Sequence, residues 1–507
     1  MILERGTVRT LDPSLPTASA LAIAGDRVAG GVGTHETVLP SPERVDLGGR
    51  CVLPGFTDSH VHFPTWAVAR GEVRLEGTRS VEEVVARVRD GLGSAGGGWL
   101  RGRGWRSAEW PRQPTKEPLD EVTGQIPVAL LAHDSHSLWL NSAALARAHG
   151  DLEVAGGVVE RDERGEPTGV LREESCWQFR DRYVEIGEDE YVRAMRDGLR
   201  VAAARGITAV HDKDGWIGAL RFWQALDDLT LRVWQSFPAD QIDRLANLGL
   251  RGGFGGPMLR AGYLKAFMDG TLGSQTARLL DGSGVVITGR EELADIVRRG
   301  AAAGWPVAVH AIGDLANREA LDAFEETRDE WAPRGLRQRI EHAQLLSPED
   351  VGRFAELGVA ASVQFSHAPS DRDVADRYWA GKTDGAYAYR SIWDTGALVA
   401  NGSDAPIEEL DPLAGIVAGV LRTLDDRPAW HPEQALGVTE AMAATCVSPA
   451  WLSYDEHERG RLVPGYLADL VVLDRDPFVM PPEELPNVGV VATMVGGRWI
   501  HNPPPWD

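Results

Sequence analysis

Two histidines, His60 and His62, stand two residues apart in "CVLPGFTDSHVHF", just past an apolar run broken by Pro54 and Gly55. At that spacing on a strand both imidazoles point to one face. Two imidazoles side by side suit a divalent metal of the zinc class. Taken alone, the pair is a weak signal and is better explained as two satisfied structural histidines. Farther along, His310 in "WPVAVHAIGD", His342 in "RIEHAQ" and Asp404 in "NGSDAP" each close an apolar run, and Lys265 lies in "YLKAFMDG". Each has an ordinary reading by itself: His342 beside Glu341 as an acid-paired core histidine, Asp404 as a helix cap, Lys265 bridging a buried carboxylate. Six such residues at the same end of five strands, in order, argue for one shared site.

The elements that must position them alternate strand and helix, the pattern of βα units around a parallel sheet. After "PGFTDSH" come "GITAVHD", "LRVWQSF", "YLKAFMDG", "WPVAVHAIGD", "RIEHAQ", "VAASVQFSHA" and "LVANGSDAP", which makes eight short apolar runs with polar ends. Ala316, Ala320, Ala323 and Phe324 fall at helical spacing between the fifth and sixth. Ser347 reads as an N-cap with Pro348 at the first helical position, Asp350 in the first turn and Gly358 as the stop. Thr288 with Glu291 reads as a capping box. Eight βα units predict an α/β chain built as a (β/α)8 barrel over residues 53–454, with functional side chains at strand C-termini. Residues 67–189 are too long for a βα loop and predict an inserted, lid-like subdomain after strand one. Residues 1–52 and 455–507 read as short β segments that pair into one small β-sandwich domain built from both chain ends.

Composition narrows the function classes. Over 507 residues, 43% hydrophobic and 25% charged residues are those of an ordinary globular protein. A net charge of -23 argues against nucleic acid or an anionic membrane as partner, since both need basic patches. Cys51, Cys176 and Cys446 are odd in number and far apart, which excludes a disulfide framework and fits a reducing compartment. No secretory signal opens the sequence and no run approaches a membrane span, so a cytoplasmic location is expected.

"PGFTDSHVHF", "HAIGD", "IEHAQ", "GSDAP" and "GRLVPGYLADLVVLD" together resemble the amidohydrolase superfamily of metal-dependent hydrolases. "GWLRGRGW", "DSHSLWLNSAAL", "PTGVLREES", "YLKAFMDGTLGSQTA" and "HAIGDLANREALDAF" are similar to its branch containing N-substituted formamide deformylase. The resemblance spans almost the whole chain. It implies one or two divalent metals, zinc first, with manganese, iron or cobalt compatible with the same ligands. By position it implies that His60 and His62 bind the more buried metal and His310 and His342 the second. Lys265 matches the place of a lysine carboxylated by CO2 that bridges two metals; an unmodified ammonium does not ligate a cation. Asp404 is implied as a ligand and general base. Glu173 in "GVLREES" is an alternative anionic ligand. Lys213 in "AVHDKD" departs from the pattern and reads as a surface lysine paired with Asp212 or Asp214, or as one reaching the barrel mouth.

The implied reaction is hydrolysis of a C–N bond in a small amide, formamide or N-acyl compound. A metal lowers the pKa of bound water from about 15.7 towards 7 and polarises the carbonyl, while Asp404 carries the proton to the leaving amine. The oxyanion needs a further donor, for which His136 and His211 are the candidates, the structural alternatives being that His136 only holds the insertion together and that His211 hydrogen-bonds a neighbouring strand end. The same machinery serves a carbamate, an ester, a cyclic amide or a deamination, and an inactive metal-stabilised binding protein is the reading from another class. Trp99, Trp105, Trp110 and Trp139 of the insertion divide between its own core and an apolar pocket over the metals. A homodimer is compatible with this type of barrel.

Overall fold

A computed structural model describes residues 1–506 except 36, 39, 95–97, 108–109, 134–136, 149–151, 155–156 and 185. The chain divides into two compact units, Met1–Phe63 with Arg196–Asp507, and Pro64–Met195.

In the first unit eight parallel strands run β1 (Phe56–Val61), β2 (Ile207–Asp212), β3 (Arg232–Pro238), β4 (Leu259–Phe267), β5 (Val307–Ala311), β6 (Arg339–His342), β7 (Ala360–Val363) and β8 (Val399–Asn401). Each pairs with the next in sequence order, and β1 pairs with β2. β1, β2 and β5 to β8 are buried along their whole length, as parallel strands sheathed by helices must be. The eight expected strands are therefore all present, and they make a nearly closed barrel. Val309, Ile340, Val363 and Val399 pack outward against helical Leu293, Val297, Ala320, Phe324 and Phe354.

The remaining seam, between β8 and β1, is tied just past the strand ends. Asp404 N donates to His60 O at 2.7 Å and His62 N to Ala405 O at 2.9 Å. The buried Asp58 carboxylate accepts from Ser403 N and His60 N. Gly402 is required here, because a Cβ at that position would lie 2.4 Å from His60 N.

Helix Asp314–Glu326 carries Ala316, Ala320, Ala323 and Phe324 on its buried side as their spacing predicts. The helix after Ser347 starts at Pro348 but is interrupted, running Pro348–Val351 and Arg353–Leu357, with Gly358 left-handed at its end. The helix expected to be boxed by Thr288 and Glu291 starts later, at Arg290, with Gly289 as its N-cap. Glu291 consequently lies in the first turn, where its charge favours the helix N-terminus.

Both chain ends join one sheet in the order Arg498–His501, Val490–Val495, Leu470–Leu473, Cys51–Pro54, Ile2–Arg9, Thr17–Ala24, Arg27–Gly33, with Arg44–Asp46 also on Ile2–Arg9. It has its own core of Leu3, Val8, Leu21, Ile23, Val45, Val52, Leu470, Val472 and Met494.

The second unit holds a six-stranded sheet, in the order Gly157–Arg161, Pro167–Glu173, Ser137–Leu140, Val128–Ala132, Leu100–Trp105 and Val73–Arg74. All four tryptophans singled out above are buried in this unit's own cores, so none is left to line a pocket. Trp105, Trp110 and Trp139 meet pairwise at 6.1 to 6.3 Å, and each indole N–H reaches a backbone carbonyl of the same unit.

Candidate metal centre

At the C-terminal ends of the barrel strands the histidine rings stand in a chain. Centroids lie 5.7 Å apart for His60 and His62, 4.7 Å for His60 and His342, and 4.6 Å for His310 and His342. Asp404 sits among them, with Oδ1 3.2 Å from His60 Nε2 and 3.4 Å from His62 Nε2, and Oδ2 3.8 Å from His342 Nδ1. Two of these positions owe their aim to backbone that L-residues seldom adopt. His342 shares strand parity with the outward Ile340, yet φ of 74° at His342 and 44° at Ala343 turns its ring to the cluster. Asp404 has φ of 57°. Such strained residues gather at functional sites.

Each histidine is held from behind by an acceptor. His60 Nδ1 donates to Glu341 Oε2 at 2.8 Å, His62 Nδ1 to Asp214 Oδ1 at 2.8 Å, and His342 Nδ1 to Gln364 Oε1 at 2.7 Å. His310 donates through Nε2 to Gly270 O at 2.9 Å. These outward bonds leave the opposite ring nitrogens with lone pairs, the form that ligates a cation. For His60 and His62 those nitrogens face the Asp404 carboxylate, and lone pairs converging on an anion call for a positive charge between them.

The electrostatics agree. Burial works against ionising Asp404, but His60, His62 and His342 outweigh it and hold the carboxyl well below its ordinary range. Burial would lower His62, yet Asp214 and Asp404 raise it to about 10. Burial and the nearby Lys265 lower His310 to about 3. Burial lowers Lys265 to about 8 against the pull of Glu341 and Asp404. Lys265 Nζ is buried with no hydrogen-bond partner, resting 4.7 Å from the Phe267 ring centroid. An orphaned amine among ligands and acids fits a site in which that nitrogen carries a further group. The residues present therefore suit a divalent ion: His60, His62 and Asp404 form one compact group, and His342 with Asp404 belongs to a second.

The other expected residues fall elsewhere. Lys213 is fully buried and is no surface lysine; its Nζ pairs with Glu341 Oε1 at 2.8 Å. His211 accepts from Arg339 Nη1 at 3.1 Å and donates to Ser453 Oγ at 3.4 Å. With both ring nitrogens engaged and no exposure, it has no N–H to offer a substrate. Glu173 ends a strand of the second unit's sheet and precedes helix Glu174–Tyr183. His136 lies outside the described residues.

Three contributors were not singled out as functional from sequence. Glu341, noted only as a neighbour of His342, orients His60 while pairing with Lys213 and with Arg339 Nε at 2.9 Å. His367, first residue of helix His367–Tyr378 after β7, stacks on His342 with centroids 6.2 Å apart. Its signal is the tail of "VAASVQFSHA", where the apolar run again ends in a histidine. Trp216, after β2, is 47% exposed, and its ring lies 5.5 Å from His62 and 5.7 Å from Phe267.

A model of the amidohydrolase family matches residues 43–501. Protein LONG AFTER FAR-RED 3 of Arabidopsis thaliana is 32% identical, covering 99% of this chain and 91% of its own. The putative amidohydrolase YtcJ of Bacillus subtilis is 30% identical, with 94% of each chain covered. N-substituted formamide deformylase of Arthrobacter pascens is 28% identical over 98% of this chain and 97% of its own. The crystal structure of an uncharacterized metal-dependent hydrolase from Pyrococcus horikoshii superposes with a TM-score of 0.81 at 29% identity, covering 95% of this chain and 99% of that one. No helix among the described residues is long and apolar enough to cross a membrane. The barrel, its histidine–aspartate cluster and these matches lead to one assignment: the chain belongs to the amidohydrolase family of metal-dependent hydrolases.

Proposed function

We propose that this protein hydrolyses a C–N bond in a small amide, formamide or N-acyl compound. The observation that carries the reading is the set of four histidines, each donating outward, with the free nitrogens of His60 and His62 turned to Asp404. Full-length similarity to N-substituted formamide deformylase supports a formamide or related amide as substrate class. His60, His62, His310, His342 and Asp404 would hold one or two divalent ions, zinc suiting an imidazole and carboxylate set best. A bound ion supplies Lewis acidity toward the carbonyl and acidifies water.

Lys265 joins the ligand set as a carbamate. Its neutral amine attacks CO2, a C–N bond forms, and the amine proton leaves to solvent, giving an anion at the position of the orphaned Nζ. Asp404 takes the proton of the attacking water and returns it to the leaving nitrogen. Trp216 and Phe267 form an aromatic wall beside His62 and His310 that suits an apolar substituent. The partner is a small molecule, in keeping with a net charge of -23 that repels polyanions.

The test combines metal analysis, native mass and a screen over N-substituted formamides and amides. Two metal equivalents, a mass increment of one CO2 per chain, and turnover of at least one amide are expected. Asp404→Asn should lower kcat by about 10² to 10⁴-fold while the fold persists. A protein that takes up no metal after reconstitution, or that turns over none of these amides, would sink the proposal.

A further inference from the structure

Four of the clustered histidines donate outward through one ring nitrogen, and the fifth accepts there instead. Gln344 Nε2 lies 3.1 Å from His367 Nδ1. An amide nitrogen only donates, so Nδ1 accepts and the ring proton sits on Nε2. That Nε2 is buried, has no hydrogen-bond partner, and lies 3.9 Å from Asp404 Oδ2. Distance alone would let His342, His367 and Asp404 share an ion. Ligation through His367 Nε2, however, would move the proton to Nδ1 and set it against the Gln344 amide, donor facing donor. The ring is also fixed in place: it stacks on His342 with 8° between planes, and His367 N donates to Gln364 O at the start of its helix.

We infer that His367 is a catalytic hydrogen-bond donor to the substrate and not a metal ligand. Its Nε2–H binds the carbonyl oxygen and stabilises the negative charge that develops there as the tetrahedral centre forms. The proton stays on Nε2 throughout, so no bond to His367 is made or broken. This assignment rests on the hydrolase reading above and supplies the donor that His211, with both nitrogens engaged, cannot provide.

The experiment compares wild type, His367→Phe and His367→Gln for metal equivalents, kcat and KM on the amide found by the screen, and affinity for methylphosphonate, a tetrahedral anion. All three proteins should bind the same metal equivalents. The Phe variant should lose kcat by about 10² to 10³-fold, as when one oxyanion donor is removed, with KM little changed. It should also bind methylphosphonate more weakly than wild type, and Gln, whose amide restores a donor, should recover part of both losses. Loss of a metal equivalent from both variants would make His367 a ligand and overturn the assignment. Unchanged kcat and unchanged phosphonate affinity would overturn it equally. Should wild type cleave no amide, the hydrolase reading fails by itself. The phosphonate arm then still decides His367, because equal affinity in wild type and Phe, or binding by neither, refutes the donor.

Discussion

Glu341 shows how much a single buried carboxylate can organise. It is fully buried, receives His60 Nδ1 on one oxygen, and faces Lys213 Nζ and Arg339 Nε with the other. Burial alone would keep it protonated, but Arg339 and His60 outweigh that cost and hold it well below the usual carboxylate range. Glu341→Gln would leave two cations buried without their counter-charge, and breaking a buried pair costs about 3 to 5 kcal/mol. It would also loosen the orientation of His60, which for such supporting groups lowers metal affinity about 10 to 100-fold. Urea denaturation and metal competition check both effects, and a variant as stable as wild type with undiminished metal affinity would contradict them. The ligand candidates themselves were legible because each closes an apolar run at a strand end. Glu341 and Lys213 were not, because their meaning depends on pairing across β1, β2 and β6, which adjacency in sequence does not reveal. Lys213 was misjudged because it stands next to acids in sequence yet finds its partner on β6, at Glu341; His211 hydrogen-bonds Arg339 of β6, a structural role its sequence had left open.

At the scale of elements, the alternation of short apolar runs located all eight barrel strands, since parallel strands buried on both faces read as continuous hydrophobic stretches. Helix ends were read less well. Gly289 stands at the cap in place of Thr288, and the Pro348 helix is interrupted at Gly352. The tryptophans of the insertion divided between core and pocket in sequence because a large aromatic serves either place. The sheet settles it by sending Trp105 and Trp139 into one core with Trp110. Trp139→Ala should therefore destabilise the second unit by about 3 to 5 kcal/mol, the cost of emptying a large aromatic site. Metal equivalents in the barrel should be unchanged. Thermal unfolding together with metal analysis tests this; an unchanged melting temperature with a raised KM for apolar amides would return Trp139 to a binding role.

For the molecule as a whole, the two chain ends are what make the barrel unit a single body. Leu470–Leu473 from the C-terminal side pairs antiparallel with Cys51–Pro54, and β1 begins two residues after Pro54. Strand pairing thus carries the ends directly into the first barrel strand and the histidines at its end. A buried ion pair reinforces the join: Arg232, the first residue of β3, donates to both oxygens of Asp469, which immediately precedes Leu470, at 2.7 and 3.0 Å. The composite β domain was legible in sequence from its alternating short segments. The Arg232–Asp469 pair was not, since 237 residues separate its members. Asp469→Asn leaves the Arg232 guanidinium buried with only a neutral partner, so a loss of about 3 to 5 kcal/mol is expected. Because the terminal sheet and the barrel share strands in succession, that loss should lower the unfolding midpoint of both together. Hydrogen exchange reads this directly: amides of Leu470–Leu473 and of β3 should lose protection by the same factor in the variant. Arg232→Met in the Asp469→Asn background should recover much of the stability by removing the stranded charge. If the terminal strands exchange faster while β3 keeps its wild-type protection, the sheet is an independent appendage, and the chain ends do not contribute to holding His60 and His62 in place.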